Sequence, residues 1–384
     1  MKVLFYTYYM LKGTERLMPW RTLVEVARWM NATGRHEAAI CSAQEPEETR
    51  QYQGVTIYSI EPSHQALHNF VAEGGWQVVY YPVTYRQGLK EMNGLTNIPA
   101  ELIAYVPGGL SPLSGVVSLI CSGHGRLARP YLLDIVTPHK WLATRLHTVG
   151  IRKIVCQAPL TALDAEEHGW KREDVFCALP GKDVNIEEDD SLVEQLGLKE
   201  QRFLLFSGAP SPVRGAVLAL KAFDKVAEKL PGVKLVMLMR CDVRSDFSEM
   251  DAAVQAVKHK EHVVVSYERL TRPQLFGMFR AAWAVLLPFL IVPSEIPLTF
   301  FEVMSLGTPV ITFKNGGTTD YLRDGLIIAK KRSADSLGEA MVSICRNEEE
   351  RERLSRNAKQ LMDKHPTWDK TAAIWEKAIV GQNA

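Results

Sequence analysis

Short runs of apolar residues alternate along the chain with longer amphipathic segments. In the first half, the β-rich runs are KVLFYTY, EAAICS, VVYYPV, ELIAYV, VVSLI and KIVCQA. In the second half, they are RFLLFSG, KLVMLM, HVVVSY, AVLLPF and PVITF. Strands that alternate with helical patterns predict parallel sheets covered by helices on both faces. Each half of the chain is therefore expected to form an α/β domain with a doubly wound sheet.

A polar segment, PGKDVNIEEDDSLVEQLGLKEQ, separates the two halves, and its acidic cluster at 187–190 is typical of a solvated linker. A chain of 384 residues is too long for one ordinary core. We expect a first domain over 1–180, a second over 181–365 and a terminal helix over 366–384. Ligands of open α/β sheets bind outside the carboxyl ends of the strands, so two facing domains predict a site in the cleft between them.

Composition narrows the class of protein. Hydrophobic residues make up 46% of the chain and charged residues 23%, which is typical of a globular protein. The formal net charge is +1, so no global field recruits nucleic acid, and any anion must be bound locally. Six cysteines without a CxxC pair indicate neither a disulfide framework nor a zinc ribbon. His64 and His68 lack an obvious third ligand, so no metal is expected.

The N-terminal stretch MKVLFYTYYM has no cleavage site like that of a signal peptide, and a cytoplasmic location is expected. The run AAWAVLLPFLIV is about half the length that spans a bilayer and favours a buried strand. Residues 16–30 mix Arg16, Arg21 and Arg28 with Trp20 and Trp29 on a predicted helix. Such a helix can lie on an anionic membrane surface, and the alternative is a helix that covers the sheet. Peripheral contact with the inner face of the membrane therefore stays open.

In the second half, the strand RFLLFSG ends at Gly208 and is followed by Arg214, Gly215 and an amphipathic helix. A cation and backbone amides just before a helix N-terminus form a local phosphate site. The alternative is that Arg214 is an ordinary solvated loop residue.

The stretch PSEIPLTFFEVMSLG places Glu295 in a loop and Glu302 in a short helix that Gly307 ends. A carboxylate accepts hydrogen bonds from neighbouring sugar hydroxyls, so both side chains are candidate ligand contacts. The alternative is that Glu302 caps its helix or pairs with a lysine.

The order of these segments resembles the C-terminal half of the GT-B glycosyltransferases, specifically glycosyltransferase family 4. FEVMSLGTPVI stands where that family has Glu-Ala-Met-Ala-x-Gly-x-Pro-Val-Ile. Weaker resemblances are carried by VLFYTYYMLKGTER, LDIVTPHKWLATRL, VFCALPGKDV and HPTWDKTAAIWEKAI. The resemblance implies two Rossmann-like domains facing a central cleft, with the terminal helix returning to the first domain.

It also implies a retaining transfer of a sugar from a nucleotide-sugar donor to an acceptor hydroxyl of a glycan, lipid or small molecule. The family's roles fall on Glu302 for the ribose, Glu295 for the donor sugar and Arg214 for the diphosphate. Gly208 and the loop that contains Pro297, Leu298 and Thr299 complete the implied donor site. GT-B enzymes use basic side chains and helix dipoles at the diphosphate, so neither a divalent metal nor a cofactor is expected.

The chain departs from the family pattern at several positions. Six residues separate the two glutamates where the family has seven, and Ala209 replaces a basic residue. PGG at 107–109 stands where members carry a histidine, and His124 is the nearest catalytic candidate, with an ordinary loop histidine as the alternative. Gly13 follows the first strand, where it allows close backbone approach to a ligand or simply makes a turn.

Two rival functions remain open at this point. A GT-B epimerase acting on a nucleotide sugar would share the fold and the donor cleft. A non-catalytic protein that binds a nucleotide sugar is the second rival, and Ala209 and the missing histidine favour it.

Overall fold

A computed structural model describes residues 1–46, 48–84, 92, 94–240, 246–292 and 294–381. Cys241 lies outside the described residues, and the five described cysteines are free. The fold consists of two α/β units, each built on its own sheet. Both sheets are parallel except for one antiparallel pair at the edge of the first.

The strands of the first sheet lie in the order β3-β4-β2-β1-β5-β6-β7-β8. The elements that build this unit, in chain order, are β1 Lys2–Tyr8, α1 Trp20–Ala32, β2 Glu37–Ala43, β3 Thr49–Tyr52, β4 Val55–Ile60, α2 His64–Gly74, β5 Val78–Pro82, β6 Glu101–Tyr105, α3 Leu113–Cys121, α4 Gly125–Val136, α5 His139–Thr148, β7 Lys153–Cys156, α6 Pro159–Glu167 and β8 Val175–Cys177.

The strands of the second sheet lie in the order β11-β10-β9-β12-β13-β14. Its elements are α7 Ser191–Gln195, β9 Arg202–Gly208, α8 Ala216–Val226, β10 Val233–Met239, α9 Ser248–Ala256, β11 Val263–Ser266, α10 Arg272–Ala281, β12 Ala284–Leu287, α11 Leu298–Ser305, β13 Val310–Phe313, α12 Gly316–Leu322, β14 Leu326–Ala329, α13 Ala334–Arg346, α14 Glu348–Lys364 and α15 Trp368–Val380. The order 3-2-1-4-5-6 within this sheet is that of the Rossmann fold, which confirms the predicted fold class.

The sequence patterns located most strands and missed a few elements. VVSLI was predicted as a strand and lies in helix α3, so that prediction is wrong. Pro112 precedes the helix, and Val116 and Leu119 are buried while Val117 and Ile120 face solvent, which is a helical spacing. The antiparallel pair β3–β4 and the edge strands β8 and β14 were not predicted.

Helix α1 covers the first sheet and packs against α15. Arg21 is 8% exposed, Trp20 and Trp29 are half-buried, and Arg28 is exposed. Helix α1 therefore matches the alternative of a helix that covers the sheet. Its apolar side chains pack inward and leave no apolar surface for a lipid headgroup layer. Among the described helices, none is long and apolar enough to cross a membrane.

The last helix, α15, belongs to the core of the first unit although it follows the second in the chain. Trp375 is fully buried, with ring centroids 5.8 Å from Phe5, 5.0 Å from Tyr80 and 5.6 Å from Tyr105. The Tyr80 hydroxyl also donates a hydrogen bond to the Trp375 carbonyl. The chain therefore crosses between the units twice, once through 178–190 and once before α15.

Candidate functional site

The second sheet reverses its strand order between β9 and β12, and the crevice outside their carboxyl ends is the expected ligand position. Gly208 ends β9, and a Cβ added there would lie 3.4 Å from Cδ of Arg214. The Arg214 guanidinium carbon lies 5.3 Å from the centroid of the Phe289 ring, just beyond β12. The structure therefore brings Gly208 and Arg214 together at the switch point.

Gly215 explains how the chain turns from this crevice into α8. Its φ is +73°, and a Cβ added there would lie 2.3 Å from the carbonyl oxygen of Pro288. Only glycine fits both the left-handed conformation and this backbone approach. The N-terminus of α8 is consequently held against the segment that follows β12.

Helix α11 begins beside the same crevice. Pro297 is its N-cap, and no described side chain caps the helix. Pro297 and Leu298 are buried, and Thr299 is half-buried. The Phe300 ring lies 5.9 Å from Phe289, the ring that Arg214 covers. Arg214 thus lies on the Phe289 ring, and Phe289 packs against Phe300 in the first turn of α11, where the positive end of the helix dipole is located.

Glu302, in the second turn of α11, lies in a cluster of charges drawn from both units. Its Oε1 lies 3.4 Å from Arg21 of α1 and 3.4 Å from Arg272 of α10. Both arginines also pair with Asp183, which lies in the segment that joins the units. Glu302 is therefore an interdomain residue, and it pairs with two arginines where the alternative had a lysine.

The ion cluster is well buried. The side chains of Arg21, Asp183 and Glu302 are 10%, 17% and 16% exposed, and that of Arg272 is 39% exposed. Burial raises the pKa of Glu302, and the two arginines oppose that shift. The adjoining cavity measures about 10 Å³, room for about one water molecule and too little for a ribose. A ribose would reach Glu302 only after the units move apart.

Lys182, in the segment that joins the units, is bound away from the end of β9. Its ammonium donates to the carbonyl of Met362, and its backbone pairs with Thr367 in front of α15. This lysine stabilises the second crossing of the chain. At the end of β9, Arg214 lies beside Gly208, and the backbone N–H of Arg240 donates to the Gly208 carbonyl at 2.8 Å.

Glu295 points to a different place from Glu302. It is 3% exposed, and its Oε2 accepts a hydrogen bond from the backbone N–H of Gln157, just after β7 of the first unit. Burial raises the pKa of Glu295 well above its usual range, and hydrogen bonds from Thr161, Gln157 and Ala158 oppose the shift. Glu295 therefore seals the two units together, and in this arrangement it offers no carboxylate to a donor sugar.

Two glycines allow this close approach of the units. A Cβ at Gly109 would lie 3.2 Å from Cα of Glu295, and a Cβ at Gly115 would lie 2.1 Å from the Leu290 carbonyl oxygen. Val116, next in α3, is buried in one apolar cluster with side chains of α8. The PGG segment at 107–109, where a histidine was expected, thus permits backbone contact across the closed cleft.

The other two candidate residues, His124 and Gly13, have contacts different from those of Glu295 and Glu302. Nε2 of His124 lies 3.5 Å from a carboxylate oxygen of Glu249 in α9, and the described residues give it no contact with Arg214 or Glu302. The N–H of Gly13 donates to Glu15 at 2.7 Å with φ at +90°, and a Cβ added there would lie 3.7 Å from the Arg269 guanidinium of the second unit.

Sequence reasoning missed Asp183 and Arg272 as site residues, and it considered Arg21 only as part of a helix that lies on a membrane or covers the sheet. No spacing signal links them, because they come from the joining segment, α10 and α1. Only the folded chain brings them to Glu302.

The sequence of this chain is similar to those of several known proteins. Residues 188–361 match the family described as Glycosyl transferases group 1. The lipopolysaccharide 1,2-N-acetylglucosaminetransferase of Salmonella typhimurium is 24% identical over 217 residues, 53% of this chain and 54% of that protein. A D-inositol 3-phosphate glycosyltransferase of Arthrobacter is 24% identical over 196 residues, 48% of this chain and 46% of that protein. The chain spans about half the length of the curated relatives it matches.

Solved structures match over nearly the whole chain. Sucrose-phosphate synthase of Thermosynechococcus elongatus superposes with a TM-score of 0.76 at 12% identity, covering 99% of this chain and 98% of that one. Anabaena HepE in complex with UDP and glucose gives a TM-score of 0.69 at 12% identity, covering 99% of each chain. WaaG, a glycosyltransferase involved in lipopolysaccharide biosynthesis, gives 0.67 at 15%, covering 100% of each chain. These likenesses establish the fold of the chain, which is that of GT-B glycosyltransferase structures.

Proposed function

We propose that this protein is a retaining glycosyltransferase of family 4 type that moves a sugar from a nucleotide-sugar donor to an acceptor hydroxyl. The observation that supports it best is the switch point of the second sheet, where Arg214 lies beside Gly208 and over Phe289, whose ring is 5.9 Å from Phe300 in the first turn of α11. The group 1 match over 188–361 contains these residues. The proposed donor nucleotide is UDP, because HepE, which shares the fold, was crystallised with it.

In the proposed site, Arg214 and the positive end of α11 stabilise the diphosphate. Negative charge builds up on this group as the bond to the sugar breaks, so a fixed cation and helix dipole stabilise the transition state more than the ground state. No divalent metal is needed for that task. The acceptor attacks from the face that the nucleotide leaves, and the departing phosphate takes its proton.

Glu302 is proposed to hold the ribose once the cleft has opened. Both arginine contacts use Oε1 at the long distance of 3.4 Å, while Asp183 pairs with both arginines. Vicinal ribose hydroxyls can donate to this carboxylate without leaving either arginine without a counter-charge. Opening would also free Glu295 from Gln157, which is required before it can meet a donor sugar.

A thermal-shift and turnover experiment tests the proposal. UDP, GDP, ADP and their sugar conjugates would be added to wild type and to Glu302→Ala and Arg214→Ala. A ligand that binds only the folded protein adds about 2.7 kcal/mol at 100 times its dissociation constant. We expect one nucleotide to stabilise wild type alone. No shift with any nucleotide would overturn the donor site.

Turnover then separates the rival functions. A transferase releases the nucleotide and forms a glycoside of unchanged anomeric configuration when an acceptor is present. Conversion of the nucleotide sugar without an acceptor would identify the epimerase. Binding without release of nucleotide under any acceptor would identify a non-catalytic binding protein.

The acceptor side of the proposal includes a peripheral membrane contact, which we propose to be made by α3 and α4 and not by α1. These adjoining helices expose apolar side chains that a soluble core would normally cover: Leu113 at 59%, Val117 at 48%, Ile120 at 49%, Leu133 at 45% and Val136 at 61%. Arg126 and Arg129 of α4 and Lys140 of α5 are exposed beside them. Apolar side chains flanked by cations suit an anionic lipid surface.

Vesicle sedimentation tests this contact. We expect binding to vesicles containing anionic lipid, weaker binding to neutral vesicles, and loss of binding in Val117→Glu and Leu133→Glu. Val184→Glu is the matched control, because Val184 is 75% exposed in the joining segment. Equal binding by all three variants would contradict the contact. The expected location is the cytoplasm, at the inner face of the membrane.

A further inference from the structure

Three side chains in the first unit converge at the junction of two helices, away from the donor cleft. His139 opens α5, Asp164 lies in α6, and His168 follows the last turn of α6. Nδ1 of His139 lies 2.8 Å and 3.0 Å from the two Asp164 carboxylate oxygens. Nδ1 of His168 lies 3.2 Å from Oδ1 and 2.8 Å from the backbone carbonyl oxygen of Asp164, so Nε2 is the His168 nitrogen left for an ion. The imidazole centroids are 5.1 Å apart.

The three side chains are close enough to share one metal ion, because one ligand atom from each lies within 4.8 Å of the others. A tetrahedral zinc ion with bonds of about 2.0 to 2.2 Å holds its ligand atoms roughly 3.3 to 3.6 Å from one another. The histidine–aspartate distances of 2.8 to 3.2 Å are those of hydrogen bonds, so binding an ion replaces the shared ring protons and moves the groups apart by a few tenths of an ångström. In the described part of the chain, no other group of three histidine, cysteine or acidic side chains meets this condition.

The surroundings supply what a metal site needs beyond its three ligands. His139 is hydrogen-bonded to the backbone of Asp134, and a bond of this kind fixes the orientation of a ligating imidazole. A cavity of about 20 Å³ adjoins the three side chains and is otherwise walled by apolar residues such as Val83, Val106 and Leu142. It has room for about one water molecule, which is the number that a fourth coordination position requires.

The charges also balance with a divalent cation present. Two neutral imidazoles and the Asp164 carboxylate leave a site with a bound dication at +1. The carboxylate of Asp134, 6% exposed and 3.2 Å from the Ser111 hydroxyl, supplies the remaining negative charge close by. Imidazole nitrogen selects zinc over magnesium or calcium, which prefer oxygen ligands.

We propose that His139, Asp164 and His168 bind one Zn²⁺ ion, with a water molecule from the adjoining cavity as the fourth ligand. The site does not depend on the proposed transferase function, and it lies outside the residues assigned to the donor.

The location suggests a structural role for the ion. It would tie the start of α5 to the end of α6. The other end of α6 faces the second unit, where Thr161 is hydrogen-bonded to Glu295 and Leu160 lies against Gly316. Zinc bound at one end of α6 would therefore stiffen the helix whose other end seals the closed cleft.

The experiment uses the full chain, stripped with a chelator and dialysed. Zn²⁺ would be titrated in competition with a chromophoric chelator, and Co²⁺ would be added separately to look for the visible absorption of a tetrahedral site. We expect one equivalent to bind wild type and to raise its melting temperature. Asp164→Asn and His168→Gln should each weaken binding more than about 100-fold, beyond the loss that outer-shell changes cause.

His147→Gln is the matched control, because His147 lies on α5 and packs on Trp170 without belonging to the cluster. Circular dichroism reports whether each variant folds. If Asp164→Asn does not fold, His168→Gln alone tests zinc binding, because the His168 side chain is 38% exposed and its replacement should not disturb the fold. Failure of wild type to bind a stoichiometric ion, or equal affinity in His168→Gln and His147→Gln, would overturn the proposal.

Discussion

Replacing Glu295 by glutamine is expected to remove a pH dependence from the stability of the closed protein. Glu295 belongs to the second unit, and its hydrogen-bond donors Gln157, Ala158 and Thr161 belong to the first. Its Oε1 is buried with no hydrogen bond of normal geometry among the described residues. Burial raises the pKa of this carboxyl, so the folded chain holds a proton that the unfolded chain releases at about pH 4.3.

The sign and slope of the effect follow from proton linkage. Between the unfolded and the folded pKa, the native state binds one proton more than the unfolded chain, so stability is fully present at low pH and falls as the pH rises. The slope reaches about 1.4 kcal/mol per pH unit for one proton. Glutamine keeps the size of the side chain and stays neutral, so Glu295→Gln should lack this slope and gain stability over wild type as the pH increases.

Denaturant unfolding of wild type and Glu295→Gln at a series of pH values, from about pH 5 to about pH 9, measures the effect. The difference between the two proteins isolates Glu295, because all other titrations are common to both. Glu61→Gln is the control, since Glu61 is exposed. A difference that stays constant over the whole range would refute the reasoning, because it would mean that the three donors keep Glu295 ionised in the folded state.

Three further predictions concern closure, the diphosphate and the terminal helix. Gly109→Ala places a Cβ 3.2 Å from Glu295 Cα and should lower the free energy of unfolding by about 1–3 kcal/mol in denaturant titrations. Gly125→Ala is the control and should not lower it, because a Cβ there meets nothing within 4 Å. Arg214→Ala should weaken UDP binding by about 10- to 100-fold in calorimetry and leave uridine binding unchanged, so that an equal loss for both ligands would argue against a diphosphate contact. Trp375→Ala should destabilise the chain by about 3–5 kcal/mol, because it empties a fully buried position among three aromatic rings, and a loss below about 1 kcal/mol would contradict that packing.

The fold was predictable because the strands of parallel sheets are buried on both faces. KVLFYTY and RFLLFSG become β1 and β9, and the run AAWAVLLPFLIV contains β12, whose four residues are all buried. VVSLI misled because β-branched residues favour strands, yet in α3 its buried face packs in one apolar cluster with α8 of the other unit. Short edge strands such as β14 carry too few residues to show a period.

The candidate site was predictable only where one segment of chain forms it. Gly208, Arg214 and Gly215 follow one another and meet at the end of β9 as the sequence suggests. Glu295 and Glu302 also lie in one segment, but their surroundings come from α1, α6 and the segment that joins the units. A local sequence pattern does not show contacts with residues more than a hundred positions away. Such distant residues determine where each of the two carboxylates points.

The ion cluster around Glu302 connects ligand binding with the relative position of the units. Arg21 comes from the first unit, Asp183 from the joining segment, and Arg272 and Glu302 from the second. Asp183 contacts both arginines and also accepts from the Trp368 indole at 3.3 Å, so it remains satisfied if Glu302 turns away. A buried carboxylate that leaves two arginines without any acidic partner would destabilise the fold by several kcal/mol, roughly 3 to 5. Because Asp183 prevents that loss, Glu302 is the member of the cluster that can leave its arginines at least cost, which is the exchange that the proposed ribose contact requires.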